Sequence, residues 1–296
     1  MRSALRLAAL SAVALTGAAC TVSVDSHAQV AREERRFSVT GEPEVRVTTF
    51  DGAIEVRSWE RSDVLVEIEK RGPTREALET LEITSQQNDR LIELEVKRPR
   101  NEVFANVGFS RSPSARLIVF LPKRANVRAR TGDGPIRLEG VHGRVELRTR
   151  DGSIRVTDAA GELTFDTADG SVTVEDARGR LAVESGDGGV SVSGAFDSVH
   201  LRTQDGSIVY RAEPGTEMAD DWEITTGDGS VSLYLPEDLS AEVDAETGDG
   251  TIRDELRISG KMHDRDRQRL RGRLGSTGGR LIRIRTGDGG IRLRRY

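Results

Sequence analysis

The sequence predicts an all-β fold: a single parallel β-solenoid with rungs of about 18 residues and two strands per rung. Three observations carry this. An Asp-Gly pair recurs nine times, at Asp51, Asp133, Asp151, Asp169, Asp187, Asp205, Asp228, Asp249 and Asp288. Thr stands two residues before each Asp, or Ser185 in one copy, and Ile or Val stands three residues after it. From Asp133 to Asp205 the spacing is 18 residues four times in succession, and a fixed period marks a repeat architecture.

Each unit reads as two half-buried strands. Val145 and Leu147 precede Asp151 at alternate positions, and Ile154 and Val156 follow it; the residues between are mostly charged or hydroxylic. Asp-Gly supplies the turn, because Gly accepts positive φ and Asp bonds its own turn backbone. Two architectures fit this alternation. An antiparallel meander would leave one apolar face with nothing in the chain to cover it. A two-sided solenoid lets its two sheets cover each other and needs no third layer, so it is preferred. The crossover rule makes its winding right-handed. A lone rung cannot stand, since four or five aliphatic side chains yield ~6–15 kcal/mol against roughly 1–2 kcal/mol per residue for ordering the backbone. Stacked rungs share ladders and core.

The ends of the chain differ from its middle. Residues 1–19 read as a signal peptide, with Arg2 and Arg6 before the apolar run Leu7 to Leu15. Cys20, the only cysteine, follows the small residues Thr16-Gly17-Ala18-Ala19 and resembles the lipidated residue of a bacterial lipobox, although Gly17 stands where Leu is usual. The competing reading is cleavage after Ala28, which would discard Cys20. Residues 20–36 read as a polar tether and 37–296 as the solenoid domain. Its first third, to about residue 126, is irregular: a rung at Val45 to Val56, one short helix in a lateral insertion around Pro73 to Leu81 with Thr74 as N-cap, and a loop from about Pro99 to Pro113. Regular rungs occupy 127–252. An Arg-rich excursion and a final rung fill 253–296, which carry 13 Arg and one Lys against five acids. That segment is +9 in a chain of −5, so the rest is −14. The expectation is a rod with a basic tip, where Arg283, Arg285, Arg292, Arg294 and Arg295 either discourage end-to-end stacking or meet an anionic surface.

Composition narrows the function. Aromatic residues are 4% and charged residues 31%, which suits an aliphatic solenoid, and the net charge argues against a nucleic-acid partner. Stacked carboxylates of the Asp column could take Ca²⁺. The chain nevertheless lacks the Gly-Gly-x-Gly-x-Asp of calcium rolls, so those Asp residues read as turn formers and no metal or cofactor is expected. His27, His142, His200 and His263 show no metal-ligand spacing. Asp166 and Glu184 on adjacent rungs could mimic a glycosidase pair; as outward charges on a β-face they need no such role. No catalytic residue is assigned.

The segment 37–296 resembles the bacterial adhesin-type family whose repeat unit is called the toastrack domain. The resemblance rests on the serial Thr-Gly-Asp-Gly-x-Ile/Val units, on Val66 to Pro73 leading into the helix, and on Arg116 to Pro122 opening the regular repeats. It implies one β-helix-like domain on exported or membrane-anchored envelope proteins, often linked to envelope stress, with no established catalytic residues. The function expected is a non-enzymatic, envelope-attached scaffold, adhesion or stress module with an envelope component or membrane protein as partner. It would be held to the membrane by lipid rather than by a spanning helix. The alternative is a polysaccharide-active β-helix enzyme. Replacing Cys20 with Ser is expected to move the protein from the membrane to the soluble fraction. An intact mass that starts at Gln29 would overturn that anchor.

Overall fold

The computed structural model describes residues 29–97, 113–256, 258–263, 268–275 and 279–296, which form 23 strands and one short helix. The first part holds β1 (Gln29–Phe37), β2 (Glu44–Thr49), β3 (Ile54–Trp59), β4 (Val64–Gly72), α1 (Arg75–Glu79), β5 (Glu82–Asn88), β6 (Leu91–Lys97) and β7 (Ser114–Pro122). The regular middle runs through β8 (Asn126–Arg130), β9 (Ile136–Glu139), β10 (His142–Arg148), β11 (Ile154–Thr157), β12 (Ala160–Thr167), β13 (Val172–Ser185), β14 (Val190–Thr203) and β15 (Ile208–Ala212). The last part is β16 (Trp222–Thr226), β17 (Val231–Leu235), β18 (Ala241–Thr247), β19 (Ile252–Asp254), β20 (Ile258–His263), β21 (Arg269–Leu274), β22 (Leu281–Thr286) and β23 (Ile291–Arg295).

Strands that precede an Asp-Gly pair stack on one another in parallel, and so do those that follow it. Val145 pairs with Val127 and Leu163, and Ile154 pairs with Ile136 and Val172, so aliphatic residues 18 apart lie over one another. Parallel pairing rules out the meander. The two faces close on a single aliphatic core that runs from Val45 to Leu293. β13 and β14 turn the corner opposite the Asp-Gly edge without a break, which joins both faces into one continuous sheet. Where the connection after β15 enlarges, the core widens too, and Phe196, Tyr210 and Trp222 fill it as tilted neighbours with centroids 6.2 and 5.3 Å apart. The expected helix is α1, capped by Thr74, whose hydroxyl accepts from Ala77 N at 3.2 Å.

Rung order in space departs from rung order in sequence at both ends. β2 lies between β6 and β8, and β3 between β7 and β9. The first rung is therefore second in the stack, covered by a rung that the insertion supplies. At the other end β22 lies between β16 and β18, and β23 between β17 and β19. The expected basic tip is thereby corrected: the final rung is an inner one, and Arg283, Arg285, Arg292 and Arg294 do not stand on an end strand. Antiparallel strands close the ends instead, β5 and β1 at one end, β21 with β20 at the other.

The tether is corrected as well. Its last eight residues belong to β1, which pairs antiparallel with β4 from Gln29↔Gly72 to Phe37↔Val64. β1 was hidden because charge rather than apolar alternation holds it: Arg32 reaches Glu69 at 3.0 Å, Lys70 reaches Glu33 at 2.6 Å, and Arg36 pairs with Asp63. The expected loop at Pro99 to Pro113 and Cys20 fall almost wholly or wholly outside the described residues.

Two predictions follow from burial and charge. Ile154 is 1% exposed and Arg155 points outward. Ile154→Asp should cost several kcal/mol by burying an unpaired carboxylate, whereas Arg155→Asp should leave the melting temperature almost unchanged. Equal losses would refute the inside–outside assignment. Acid should loosen the ends first. The Lys70 hydrogen bond, helped by Arg35, holds Glu33 below the usual carboxylate range against burial. Arg71 and then Arg32 do the same for Glu69. Burial would raise Asp244, but Arg271 and Arg285 outweigh it. Lowered values mean that folding favours the charged forms, so their stabilisation is complete above the ordinary carboxylate range and fades as pH falls through the lowered values. Hydrogen exchange between pH 5 and 3 should show β1 and β21 losing protection before β11 and β13.

Candidate functional site

The repeated motif folds into a corner shared by all rungs. Thr149 Oγ1 accepts from Gly152 N at 3.2 Å and donates toward the Gly132 and Gly134 carbonyls of the rung below, both at 3.1 Å. Thr167, Thr203, Thr247 and Thr286 accept in the same way from the glycine three residues on, and bond the rung beneath. Ser185 keeps the bond to Gly170 O at 3.3 Å. All nine hydroxyl residues of this column are buried. The contacts follow spatial order: Thr286 reaches Gly229 and Thr247 reaches Gly289.

Glycine is required here for proximity more than for φ. Of the nine Asp-Gly glycines only Gly52 takes a left-handed φ, 121°. At Gly170 a Cβ would lie 1.9 Å from Gly152 O, and at Gly152 it would lie 2.0 Å from Gly134 O. No side chain fits between successive rungs at this edge.

The Asp side chains turn away from that contact. Eight of the nine are exposed and Asp51 is half-buried, in a column with one carboxylate per rung, about 4.8 Å apart. Arg150 comes within 3.7 Å of Asp133. No group of three or more His, Cys, Asp or Glu residues among the described residues could hold a metal ion. The donors needed to enclose Ca²⁺ are six to eight oxygens, and an open single file of carboxylates does not converge on one point.

Other residues singled out by sequence lie apart. His142 approaches Asp158 at 3.6 Å and His200 approaches Glu223 at 3.6 Å, on different strands and with no third ligand type beside them. His27 lies outside the described residues. Asp166 and Glu184 are direct neighbours in register, as expected. No aromatic platform serves them: Trp222 is fully buried, and Trp59 stacks on Phe120 at 5.5 Å with the guanidiniums of Arg36 and Arg61 over its ring.

Both outer faces carry charge in register from rung to rung. On the face built from strands before Asp-Gly, Arg128 reaches Glu146 at 2.8 Å and Arg144 reaches Glu162 at 2.8 Å, each one rung away. Asp244 on β18 sits between Arg271 of β21 at 3.0 Å and Arg285 of β22 at 3.3 Å. Glu246 and Glu242 likewise meet Arg269, Arg285 and Arg273, so much of the basic segment is neutralised inside the stack. Arginines stand side by side in register on both faces: Arg46 by Arg128 and Arg130 by Arg148 on the first, Arg137 by Arg155 and Arg253 by Arg292 on the opposite one. These four arginines of the second face stand four residues after their Asp, in a column outside the apolar periodicity.

A family model described as Toastrack DUF4097 matches residues 43–294. No curated protein matches the sequence. Among solved structures, an adhesin candidate from Bacteroides fragilis NCTC 9343 is 11% identical with a TM-score of 0.35, covering 89% of this chain and 97% of its own. A candidate lipid-binding protein from Parabacteroides distasonis ATCC 8503 is 12% identical with a TM-score of 0.39, covering 88% and 96%. An adhesin candidate from the same organism is 10% identical at 0.39, covering 89% and 97%. No helix among the described residues is long and apolar enough to cross a membrane.

The corner geometry yields a paired test. Gly170→Ala should destabilise by several kcal/mol, far beyond an ordinary glycine substitution. Gly189→Ala should be mild, because the nearest atom to its Cβ would be Ser207 O at 3.6 Å. Similar losses in thermal melts would contradict the close-approach account. Millimolar Ca²⁺ or chelator should leave both melts unchanged, and a rise of many degrees with Ca²⁺ would make the Asp column a metal site.

Proposed function

The chain belongs to the Toastrack DUF4097 family, and from that premise we propose a non-enzymatic scaffold or adhesion module of the cell envelope. One observation carries the reading. The motif that looks most like a site, Thr-x-Asp-Gly, spends its hydroxyl and its glycine on joining rung to rung. What remains for function is two long, flat outer faces of regularly spaced side chains, a geometry suited to contact with an extended partner.

Export and anchorage complete the proposal. Residues 1–19 direct the chain outward and Cys20 receives the lipid, in place of a spanning helix. Eight residues lie between Cys20 and Gln29, the start of β1, so an extended link of at most ~30 Å would hold that end of the solenoid near the bilayer. The partner is an envelope component or membrane protein, and the rungs wind in the right-handed sense that crossovers favour.

The competing enzyme reading makes a separate demand. Incubation with acidic and neutral polysaccharides should leave polymer length unchanged by size-exclusion chromatography. A shortening abolished by Asp166→Asn with Glu184→Gln would establish a polysaccharide-active enzyme instead.

A further inference from the structure

We propose that the outer face of the sheet that follows the Asp-Gly turns is a binding track for a linear acidic polysaccharide, lying along the solenoid axis. The proposal rests on the scaffold and adhesion reading and names its ligand class.

One row of this face runs across the rungs in strict register. It passes from Glu55 on β3 to Arg137 and Arg155 on β9 and β11. It continues through Thr173, Ser191, Val209 and Ser232. It ends with Arg292 and Arg253 on β23 and β19. Two arginines stand on either side of four uncharged residues. With neighbouring strands about 4.8 Å apart, the inner arginines are ~24 Å from each other.

Like charges directly opposite on adjacent strands are unfavourable. On the other face the adjacent Arg46 and Arg128 are flanked in register by an acid on each side, Glu93 and Glu146, and each pairs with its own. Here Arg137 and Arg155 have an acid on one side only, Glu55, and Arg292 and Arg253 have none in their row. Arg155, Arg253 and Arg292 form no ion pair among the described residues, and Arg137 comes only within 3.8 Å of Glu55. Glu55 is already held by Arg57 at 3.1 Å and Arg116 at 2.6 Å. Each of the two arginine pairs therefore carries surplus positive charge that an anion would neutralise, and guanidiniums are suited to gripping carboxylates in two-point fashion.

The ground between the arginines decides the kind of anion. Hydroxyls of Thr173, Ser191 and Ser232 offer donors and acceptors at rung spacing along the axis. Beside them Arg211 stacks on Tyr234 at 4.9 Å, with Arg294 next in register. Hydrogen-bonding groups with a flat ring between spaced cations match a sugar polymer that carries intermittent carboxylates. A densely charged phosphate chain would face the net −5 of the protein with four neutral positions beneath it. A bilayer would require a continuous cationic or aromatic surface.

Binding of the purified mature protein to polygalacturonate, with dextran as the neutral polymer, tests the track by affinity electrophoresis and calorimetry at low salt. Wild type should bind polygalacturonate in a salt-sensitive manner and ignore dextran. Arg155→Glu with Arg292→Glu should weaken binding about tenfold or more, while the charge-matched pair Arg128→Glu with Arg144→Glu should change it less than about threefold. Melting curves check that both variants remain folded. Equal weakening by the two pairs, equal binding to dextran, or binding to phosphatidylglycerol vesicles without polygalacturonate would overturn the proposal. Intact polymer that fails to bind would refute this track alone. Shortened polymer would refute the non-enzymatic reading itself.

Discussion

The structure depends on how closely one rung can sit on the next at the Asp-Gly edge. The glycine carbonyl of each rung occupies the space where a Cβ of the rung above would stand, 1.9–2.2 Å away over the regular stack. That approach excludes every side chain at one position and makes the neighbouring carbonyls hard to hydrate. Buried carbonyls need partners, and the threonine two residues before each Asp supplies one. Its hydroxyl accepts from its own turn and donates downward, so a single group satisfies two rungs. Serine does the same job at residue 185. Aspartate faces outward, which explains why the residue before it varies among Gly, Phe50, Arg150, Ala168 and Gln204 without disturbing the stack.

A stack built this way has a weakness at its ends. Parallel strands leave unpaired edges, and the aliphatic interior would open there. At both ends a rung is added beyond the first or last copy of the sequence order. Antiparallel strands close both faces at the N-terminal end; at the other end they close the β18 face, and the three-residue β19 ends the second face among the described residues. At the C-terminal end the closure is also electrostatic: Glu242, Asp244 and Glu246 on β18 lie between arginines of β21 and β22. The acids of one strand thus fix both its neighbours. The regular middle has no comparable need, because its partners are copies of itself.

This division explains what could be read from the chain. Within 127–212 the period of 18 sets the register and the alternation sets inside and outside, so Val145, Leu147, Ile154 and Val156 are where their spacing puts them. The sequence does not say which rung a terminal rung will pair with, since Trp222, Val243 and Ile282 are interchangeable as inward residues. The position of β22 between β16 and β18 was therefore not legible. β1 escaped for a different reason: among its residues only Val30, Ala31 and Phe37 are apolar, and ion pairs hold it in register. Glycine at the turn was identified correctly by residue and explained too narrowly by φ. The distance between rungs is a tertiary quantity, and only the stacked structure reveals it.

The charges of the faces are visible in the sequence, but which of them stand side by side depends on register. An arginine four residues after Asp151 is unremarked alone. Placed beside Arg137, with Glu55 already occupied by Arg57 and Arg116, it becomes a local excess that the fold leaves uncompensated. Arg253 beside Arg292 repeats that condition at the far end of the same row. On the opposite face the same residue type, at the same rung spacing, meets glutamate. Repeat architecture makes such a contrast informative. The backbone environment is nearly identical from rung to rung, so a difference in side-chain pairing between faces cannot be attributed to local structure. The proposed track accounts for it: neighbouring rungs supply the acids on one face, and a molecule that brings negative charge would supply them at the two arginine pairs of the other.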